Sequence, residues 1–235
     1  MTPTDKTERA AYVQDLFTRI AGRYDLMNRL MTAGRDVLWR RKMIRLIKQP
    51  ANAHILDVGA GTGDLSREMH RRFPDATITA ADFTLGMLLA GKNWPDIGRS
   101  TADAMQLPYT DDCFDTVVSG FLVRNVTDVD LTLKEMLRVT KPGGQVLILD
   151  MTRPRKNLLS PFINLYMNRI VPLIGTLITG QKDAYTYLPD STQNFLRAEV
   201  LAEKMNNAGF DGVVFTILNF GTVAIHSAIV PPTSK

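Results

Sequence analysis

Residues 56–64 read Leu56-Asp57-Val58-Gly59-Ala60-Gly61-Thr62-Gly63-Asp64, an apolar strand pattern that runs through alternate glycines into a helix. Glycines there let the backbone approach a ligand at the carboxyl ends of strands, where open α/β sheets bind. Dinucleotide sites share this feature, but they want a small residue at the sixth position of the motif, where this chain has Asp64. A carboxylate at a helix N-terminus also repels the pyrophosphate that would seek that positive end. Asp57 and Asp64 suit a cationic ligand instead. S-adenosylmethionine, which has a sulfonium and an amino acid end and no phosphate, fits that demand. Two further acids follow in order. Asp82 ends the second strand, where a carboxylate can accept from both ribose hydroxyls. Asp103-Ala104 lies in a loop before Leu107-Pro108, where an acid can accept from an adenine amino group. The cofactor-binding set expected from these residues is Asp57, Gly59, Gly61, Gly63, Asp82 and Asp103.

The elements that must hold these residues are legible from the alternation of short apolar runs with helical patterns. Strands are expected at 53–58, 76–81, 114–119 and 145–150, with helices at 65–73, 83–90 and 128–139 between them. Strands separated by helices of about ten residues mean βαβ units and a mainly parallel sheet. Lys141-Pro142-Gly143-Gly144 reads as a turn feeding the run VLIL at 146–149, which suits a strand buried on both faces. A helix over 198–208, capped by Gly209, precedes strands at 213–218 and 222–230. Their short Asn219-Phe220-Gly221 link permits an antiparallel hairpin and forbids a parallel crossover. The predicted architecture is α/β, with a Rossmann-like parallel sheet closed by a C-terminal antiparallel hairpin. One domain over 1–235 is expected, with an N-terminal helical lid (12–45), a cofactor-binding core (51–150), a helical insert on the substrate side (151–197), and the C-terminal helix and hairpin (198–230).

The chain has 235 residues, 45% of them hydrophobic and 22% charged, which excludes a disordered polymer. A lone Cys113 excludes a disulfide framework, and His54, His70 and His226 show no metal-ligand spacing, so no metal is expected. Charges among the first twenty residues argue against a signal peptide. Net charge is +4, concentrated at Arg35–Arg45 and Arg153–Lys156. These clusters are shorter than the aromatic-interleaved stripe usual in nucleic-acid binders. They leave open a solvated face or contact with an anionic membrane or ligand. The run Leu158–Gly180 holds a single charge, Arg169, yet Pro161, Pro172 and Gly175 break it, which favours a buried helix or apolar lid over a membrane span.

Several segments resemble the ubiquinone and menaquinone biosynthesis C-methyltransferase family over nearly the whole chain. They are FTRIAGRYDLMNRLMTAG at 17–34, Trp39-Arg40-Arg41, LDVGAGTGD at 56–64, Arg124-Asn125-Val126-Thr127-Asp128, EMLRVTKPGG at 135–144, Tyr185-Thr186-Tyr187-Leu188, Ala208-Gly209-Phe210 and 221–226. The glycine loop is common to many methyltransferases, whereas the YDxMN, WRR, RNVTD and YxYL segments are far more specific. The chain departs from that pattern at Asp36, where a histidine is usual, at Gly120 to Asn125 (GFLVRN for SFGLRN), and near Leu196, where a proline is missing.

The resemblance implies a class I methyltransferase fold. By it, Thr62, Asp82, Asp103 and Ala104 contact S-adenosylmethionine, and Arg124 and Asn125 face the substrate. The implied reaction is methyl transfer to an aromatic carbon of a prenylated quinol, most simply demethylmenaquinol to menaquinol or the equivalent ubiquinone-pathway step. Such a carbon attacks well only when the neighbouring hydroxyl, with a pKa near 10, loses its proton. Arg124 is the expected oxyanion partner, with Asn125, Tyr24 and His226 as further catalytic candidates and Asp25 and Asn28 nearby. Tyr185 and Tyr187 are candidates for stacking on the ring. Two alternatives stay open: a methyltransferase of another apolar or phenolic molecule, and a non-catalytic cofactor-binding scaffold. No nucleic-acid partner is expected. A cytoplasmic location, on its own or peripheral at the inner membrane face, and a homodimer are both compatible with the sequence.

Overall fold

The computed structural model describes residues 5–48, 51–153 and 195–232, together with Arg169. The insert over 154–194, with Arg155, Lys156, the run Leu158–Gly180, Tyr185 and Tyr187, lies outside the described residues apart from Arg169. Seven strands form one sheet: β1 (His54–Val58), β2 (Thr77–Asp82), β3 (Gly98–Thr101), β4 (Phe114–Gly120), β5 (Thr140–Met151), β6 (Asp211–Leu218) and β7 (Val223–Ile229). Their spatial order is β3-β2-β1-β4-β5-β7-β6. The first five are parallel, while β7 inserts antiparallel between β5 and β6. That is the parallel sheet closed by a C-terminal hairpin that the spacing predicts.

Side chains alternate between the two faces of the sheet, as the strand period demands. Leu56, Val117 and Ile148 pack on one face with Leu133 and Met136 of α6 (Val129–Val139) and Leu201 and Met205 of α7 (Ala198–Ala208). Ile55, Val118, Leu147 and Leu149 face the other way, onto Trp39 and Met43 of α3 (Arg35–Ile44) and Leu65 and Met69 of α4 (Asp64–Arg72). The sheet therefore presents its carboxyl edge, where β1, β2, β4 and β5 end, between two layers of helices.

Four details differ from expectation. β3 is a four-residue polar strand (GRST) at the sheet edge, too short and too hydrophilic for an apolar-run reading to find. The Lys141–Gly144 turn is absorbed into β5, because Thr140 already pairs with Phe114 across a register shift. The helix after β2 begins only at Leu85 (α5, Leu85–Ala90), since the Asp82 carboxylate captures the Thr84 N–H at 2.7 Å and holds Thr84 extended. The N-terminal helical segment begins earlier, at Lys6, and comprises α1 (Lys6–Ile20), a 3₁₀ turn over Ala21–Arg23, α2 (Tyr24–Thr32) and α3. Leu16, Ile20 and Met27 give it a small core of its own.

Candidate active site

A cavity opens at the carboxyl edge of the sheet, where open α/β sheets bind their ligands. Its floor is the glycine loop after β1. Gly59 sits at φ +75°, and a side chain there would collide with Leu122 Cβ at 2.7 Å. Gly63, at φ +87°, lies directly beneath the Trp94 ring, 2.2 Å from where a Cβ would stand. Those two positions require glycine for both conformation and space.

Asp82 stands beside this floor. Its Oδ2 accepts from Gly61 N–H at 2.7 Å and its Oδ1 from Thr84 N–H, so both oxygens are aimed by the backbone and keep lone pairs for a ligand. Burial pushes the Asp82 carboxyl up, and the two N–H groups oppose that shift. Asp103 lines the cavity across from it, its Oδ1 accepting from Met105 N–H at 2.8 Å. The loop that carries Asp103 is tied down by α6. Glu135 accepts from Leu107 N–H at 2.7 Å, and Arg138 donates to the carbonyls of Leu107 and Tyr109. These contacts give the EMLRV segment its structural role.

At the α4 N-terminus, Asp64 meets Arg29 at 2.6 Å and Arg67 at 2.8 Å. Burial acts to raise its pKa, but Arg40, Arg29 and Arg67 outweigh it and hold the carboxyl below the usual range. The helix end that would cradle a pyrophosphate is thus taken by the protein's own carboxylate. Acid acceptors without a phosphate cradle fit S-adenosylmethionine.

The N-terminal helices form the roof. Ala10, Val13, Phe17 and Tyr24 line the cavity from above. Gln14 Nε2 donates to the Phe83 carbonyl at 3.2 Å, and Thr62 Oγ1 donates to Asp25 at 2.5 Å. Beneath α2, Asp36 is 1% exposed and paired with both Arg29 and Arg40, while Thr32 Oγ1 lies at 2.9 Å. The departure at Asp36 therefore places a carboxylate between two guanidiniums, a satisfied arrangement for a buried charge.

The remaining wall follows β4. Phe121 takes φ +64°, uncommon for an aromatic residue, and lines the cavity beside Gly120, Leu122, Asn125, Val126 and Thr127. Its carbonyl accepts from Arg124 Nη1 at 3.0 Å and Asn125 Nδ2 at 3.1 Å. Its ring lies 5.3 Å from the Arg40 guanidinium and 5.5 Å from that of Arg124. Arg124 itself is only 7% exposed and is anchored to Asp150, next to last in β5, by Nη1–Oδ1 at 2.6 Å. Asp150 Oδ2 also accepts from the Arg124 backbone N–H.

The structure thus brings Tyr24, Gly59, Gly61, Asp82, Asp103, Ala104 and Asn125 to one cavity. It does not bring Asp57, Thr62, Gly63, Arg124 or His226 to that wall. Asp57 is fully buried, accepts from Ser66 Oγ at 2.5 Å, and burial pushes its pKa up to about 7. Thr62 is turned toward the lid. Arg124 lies behind Phe121. His226 is 2% exposed, mid-strand opposite Ile148, with Nε2 2.9 Å from the Ala198 carbonyl and its ring against Phe215. That bond requires Nε2 to carry the hydrogen, and burial lowers the pKa, so His226 is a neutral residue packed under α7. Sequence reasoning missed Phe121 and Asp150. Asp150 was readable, because it stands at the carboxyl end of β5, one residue from its last, much as Asp82 ends β2. Phe121 carried no signal beyond its place between a strand end and the Arg124-Asn125 pair.

Comparisons with known proteins bear on the family and the fold. The model of the ubiE/COQ5 methyltransferase family matches residues 4–230. The ubiquinone/menaquinone biosynthesis C-methyltransferase UbiE of Desulfotalea psychrophila is 42% identical over 217 residues, covering 91% of this chain and 88% of that protein. The demethylmenaquinone methyltransferase of Roseiflexus castenholzii is 40% identical over 227 residues, 94% of each. Among solved structures, the [4+2]-cyclase SpnF superposes with a TM-score of 0.67 at 16% identity, covering 94% of this chain and 95% of that one. Phosphoethanolamine N-methyltransferase 2 of Haemonchus contortus, solved with S-adenosyl-L-methionine, gives 0.62 at 14%, covering 82% of this chain and 52% of that one. At such identities these two structures speak for the fold alone, and their different chemistries leave function to the site. The family match and the curated relatives, both spanning nearly the full length, settle the identity: the chain belongs to the ubiE/COQ5 methyltransferase family.

Proposed function

We propose that this protein transfers a methyl group from S-adenosylmethionine to a ring carbon of a prenylated quinol, converting demethylmenaquinol to menaquinol or carrying out the equivalent benzoquinol step. The observation that carries the reading is the two-sided cavity. Asp82 and Asp103 stand at the glycine loop, and Asn125, Phe121 and Tyr24 form an apolar and polar wall beyond it. Asp82 would hold the ribose hydroxyls and Asp103 the adenine amino group. When bound, the cofactor supplies an electrophilic methyl on a sulfonium.

The chain's own residues then orient and activate the ring. Phe121, Leu122 and Val126 give an aromatic ring apolar surface and exclude water, so the reacting carbon is held in line with the methyl. Asn125 and Tyr24 are polar groups of the cavity, beside Thr84 and Thr127, that can donate to the quinol oxygen as it loses its proton. Arg124 acts as a positioning residue. Locked to Asp150, it shares the Phe121 carbonyl with Asn125 and so fixes that wall. With His226 buried under α7, no histidine base stands in the cavity, and the hydroxyl proton leaves to solvent at this polar edge. The ring carbon would take the methyl as the S–CH3 bond breaks, leaving S-adenosylhomocysteine, and its own proton would then return to the quinol oxygen as the ring regains aromaticity, so that one proton is released overall.

A tail-bearing quinol partitions into lipid, and peripheral contact with a membrane surface belongs to the same reading. Among the described residues no helix is long and apolar enough to cross a bilayer. The test is turnover of labelled S-adenosylmethionine with reduced demethylmenaquinone and a reduced demethylated benzoquinone side by side. Label should enter one or both. Entry into neither, with a soluble phenol accepted instead, would replace the quinol reading with the alternative of another apolar or phenolic substrate.

A further inference from the structure

The outer surface of the lid has an unusual composition. Between residues 22 and 48 the exposed residues are Gly22, Arg23, Leu26, Leu30, Ala33, Arg35, Leu38, Arg41, Lys42, Arg45, Leu46 and Lys48. Six carry positive charge, four are leucine, and none is acidic. Both acids of this stretch are turned inward, Asp25 to Thr62 and Asp36 to Arg29 and Arg40. The leucines are well exposed: 52% for Leu26, 43% for Leu30, 61% for Leu38 and 38% for Leu46.

Spacing aligns them into stripes. Arg23, Leu26 and Leu30 follow one another at three and four residues along α2, and Arg35, Leu38, Lys42 and Leu46 do the same along α3 and its end. The opposite faces are buried through Met27 on α2 and through Trp39, Met43 and Ile44 on α3. Arg35 extends the surface to the β6–β7 link, where its guanidinium lies 5.8 Å from the Phe220 ring, itself 63% exposed. One of these cations, Arg41, is paired with the partly exposed Glu68 of α4 at 3.0 Å. Leucines ringed by the remaining arginines and lysines, with no exposed carboxylate between 22 and 48, are the composition of helices that lie in a lipid interface and attract anionic headgroups. A nucleic-acid surface would have several stacking aromatics; this one has the single ring of Phe220 at its margin and aliphatic side chains across the helices.

We propose that the α2–α3 face is a docking surface for an anionic lipid bilayer. It deepens the membrane-contact reading above and rests on it, but assigns the contact to residues of the lid itself. The inner side of the same helical lid lines the cavity through Tyr24. Docking by this face sets the active site one helix layer from the membrane that holds the substrate's tail.

The experiment uses the full chain and co-sedimentation with phosphatidylcholine vesicles, with and without phosphatidylglycerol, at low and high salt. The wild-type protein should bind the anionic vesicles and release as salt rises. The double variant Lys42→Glu/Arg45→Glu and the single variant Leu38→Ser should each lose roughly tenfold or more in vesicle affinity, because each removes headgroup attraction or an inserted side chain. Val214→Ser, which removes a 63% exposed apolar residue on β6, should bind like the wild type. All these positions are exposed, and unchanged melting temperatures will confirm that the variants fold. If the wild type binds no vesicle at any salt, the membrane reading itself falls. If it binds and the lid variants bind equally well, the membrane reading stands and this surface is refuted.

Discussion

Replacing Arg124 by alanine separates a residue that acts on the substrate from one that holds the site's wall. Its side chain is 5% exposed and Asp150's is 2%, with 2.6 Å between Nη1 and Oδ1. Removing one partner of such a pair strands the other charge in the interior, which costs about 3–5 kcal/mol. For a chain of this size each kcal/mol moves the melting temperature by roughly 2–4 °C, so Arg124→Ala should melt about 6–20 °C lower. Asp150→Ala should fall by a similar amount. The double variant should melt no lower than the worse single one, since no orphaned charge remains. Single-turnover methyl transfer, corrected for the folded fraction, should drop at least roughly tenfold in either single variant, as Phe121 and Asn125 lose their anchor. S-adenosylhomocysteine affinity should stay within about threefold, because the variant leaves intact Asp82 and Asp103, the proposed cofactor contacts. A melting temperature within about 2 °C of wild type would show that the pair contributes nothing to the fold. A normal rate in Asp150→Ala beside a lost rate in Arg124→Ala would show that the guanidinium acts on the substrate directly.

Two further outcomes follow from buried carboxylates. Asp82→Ala should weaken S-adenosylhomocysteine more than roughly tenfold by calorimetry, since an ionised acceptor is worth about 1.5–3 kcal/mol per bond and the loop's Gly61 N–H also loses its partner; unchanged affinity would remove Asp82 from the cofactor site. Asp57 governs a pH effect on stability. Its pKa rises from an ordinary 3.8 to about 7 on folding. Below pH 3.8 both states are protonated, and its contribution is fully present. Between 3.8 and 7 the unfolded chain releases the proton and the folded one keeps it, so stability falls by about 1.4 kcal/mol per pH unit, up to about 4 kcal/mol. Asp57→Asn should match the wild type in urea unfolding near pH 4 and exceed it increasingly toward pH 8. Stability curves that run parallel over that range would contradict the buried-proton account.

The strand run 146–149 and the hairpin link 219–221 were legible because apolar continuity and link length are local properties. The acid at the end of β2 was legible for the same reason, as strand ends mark the binding edge. What the sequence could not show was where a side chain points once neighbours compete for it. The resemblance implies that Thr62 contacts the ligand, whereas here its hydroxyl donates to Asp25, thirty-seven residues away. Arg124 reads as a catalytic cation, but Asp150, twenty-six residues on, captures it. His226 reads as a titrating group until α7 covers it and burial keeps it neutral. The exposed side of the lid was hidden likewise. Arg35–Arg45 appears as a mixed charge cluster until Asp36 and Arg40 turn inward and leave only cations and leucines outside.

The central claim is that the cavity beside the glycine loop methylates a ring carbon of a quinol. Its most direct test is a single-turnover reaction of the purified protein with carbon-13-methyl S-adenosylmethionine and reduced demethylmenaquinone, the product being examined by nuclear magnetic resonance. The account predicts a methyl signal on the quinone ring carbon, stoichiometric with enzyme and lost on addition of excess S-adenosylhomocysteine. A methyl ether on the quinol oxygen, or no transfer by a protein that demonstrably binds the cofactor, would contradict it.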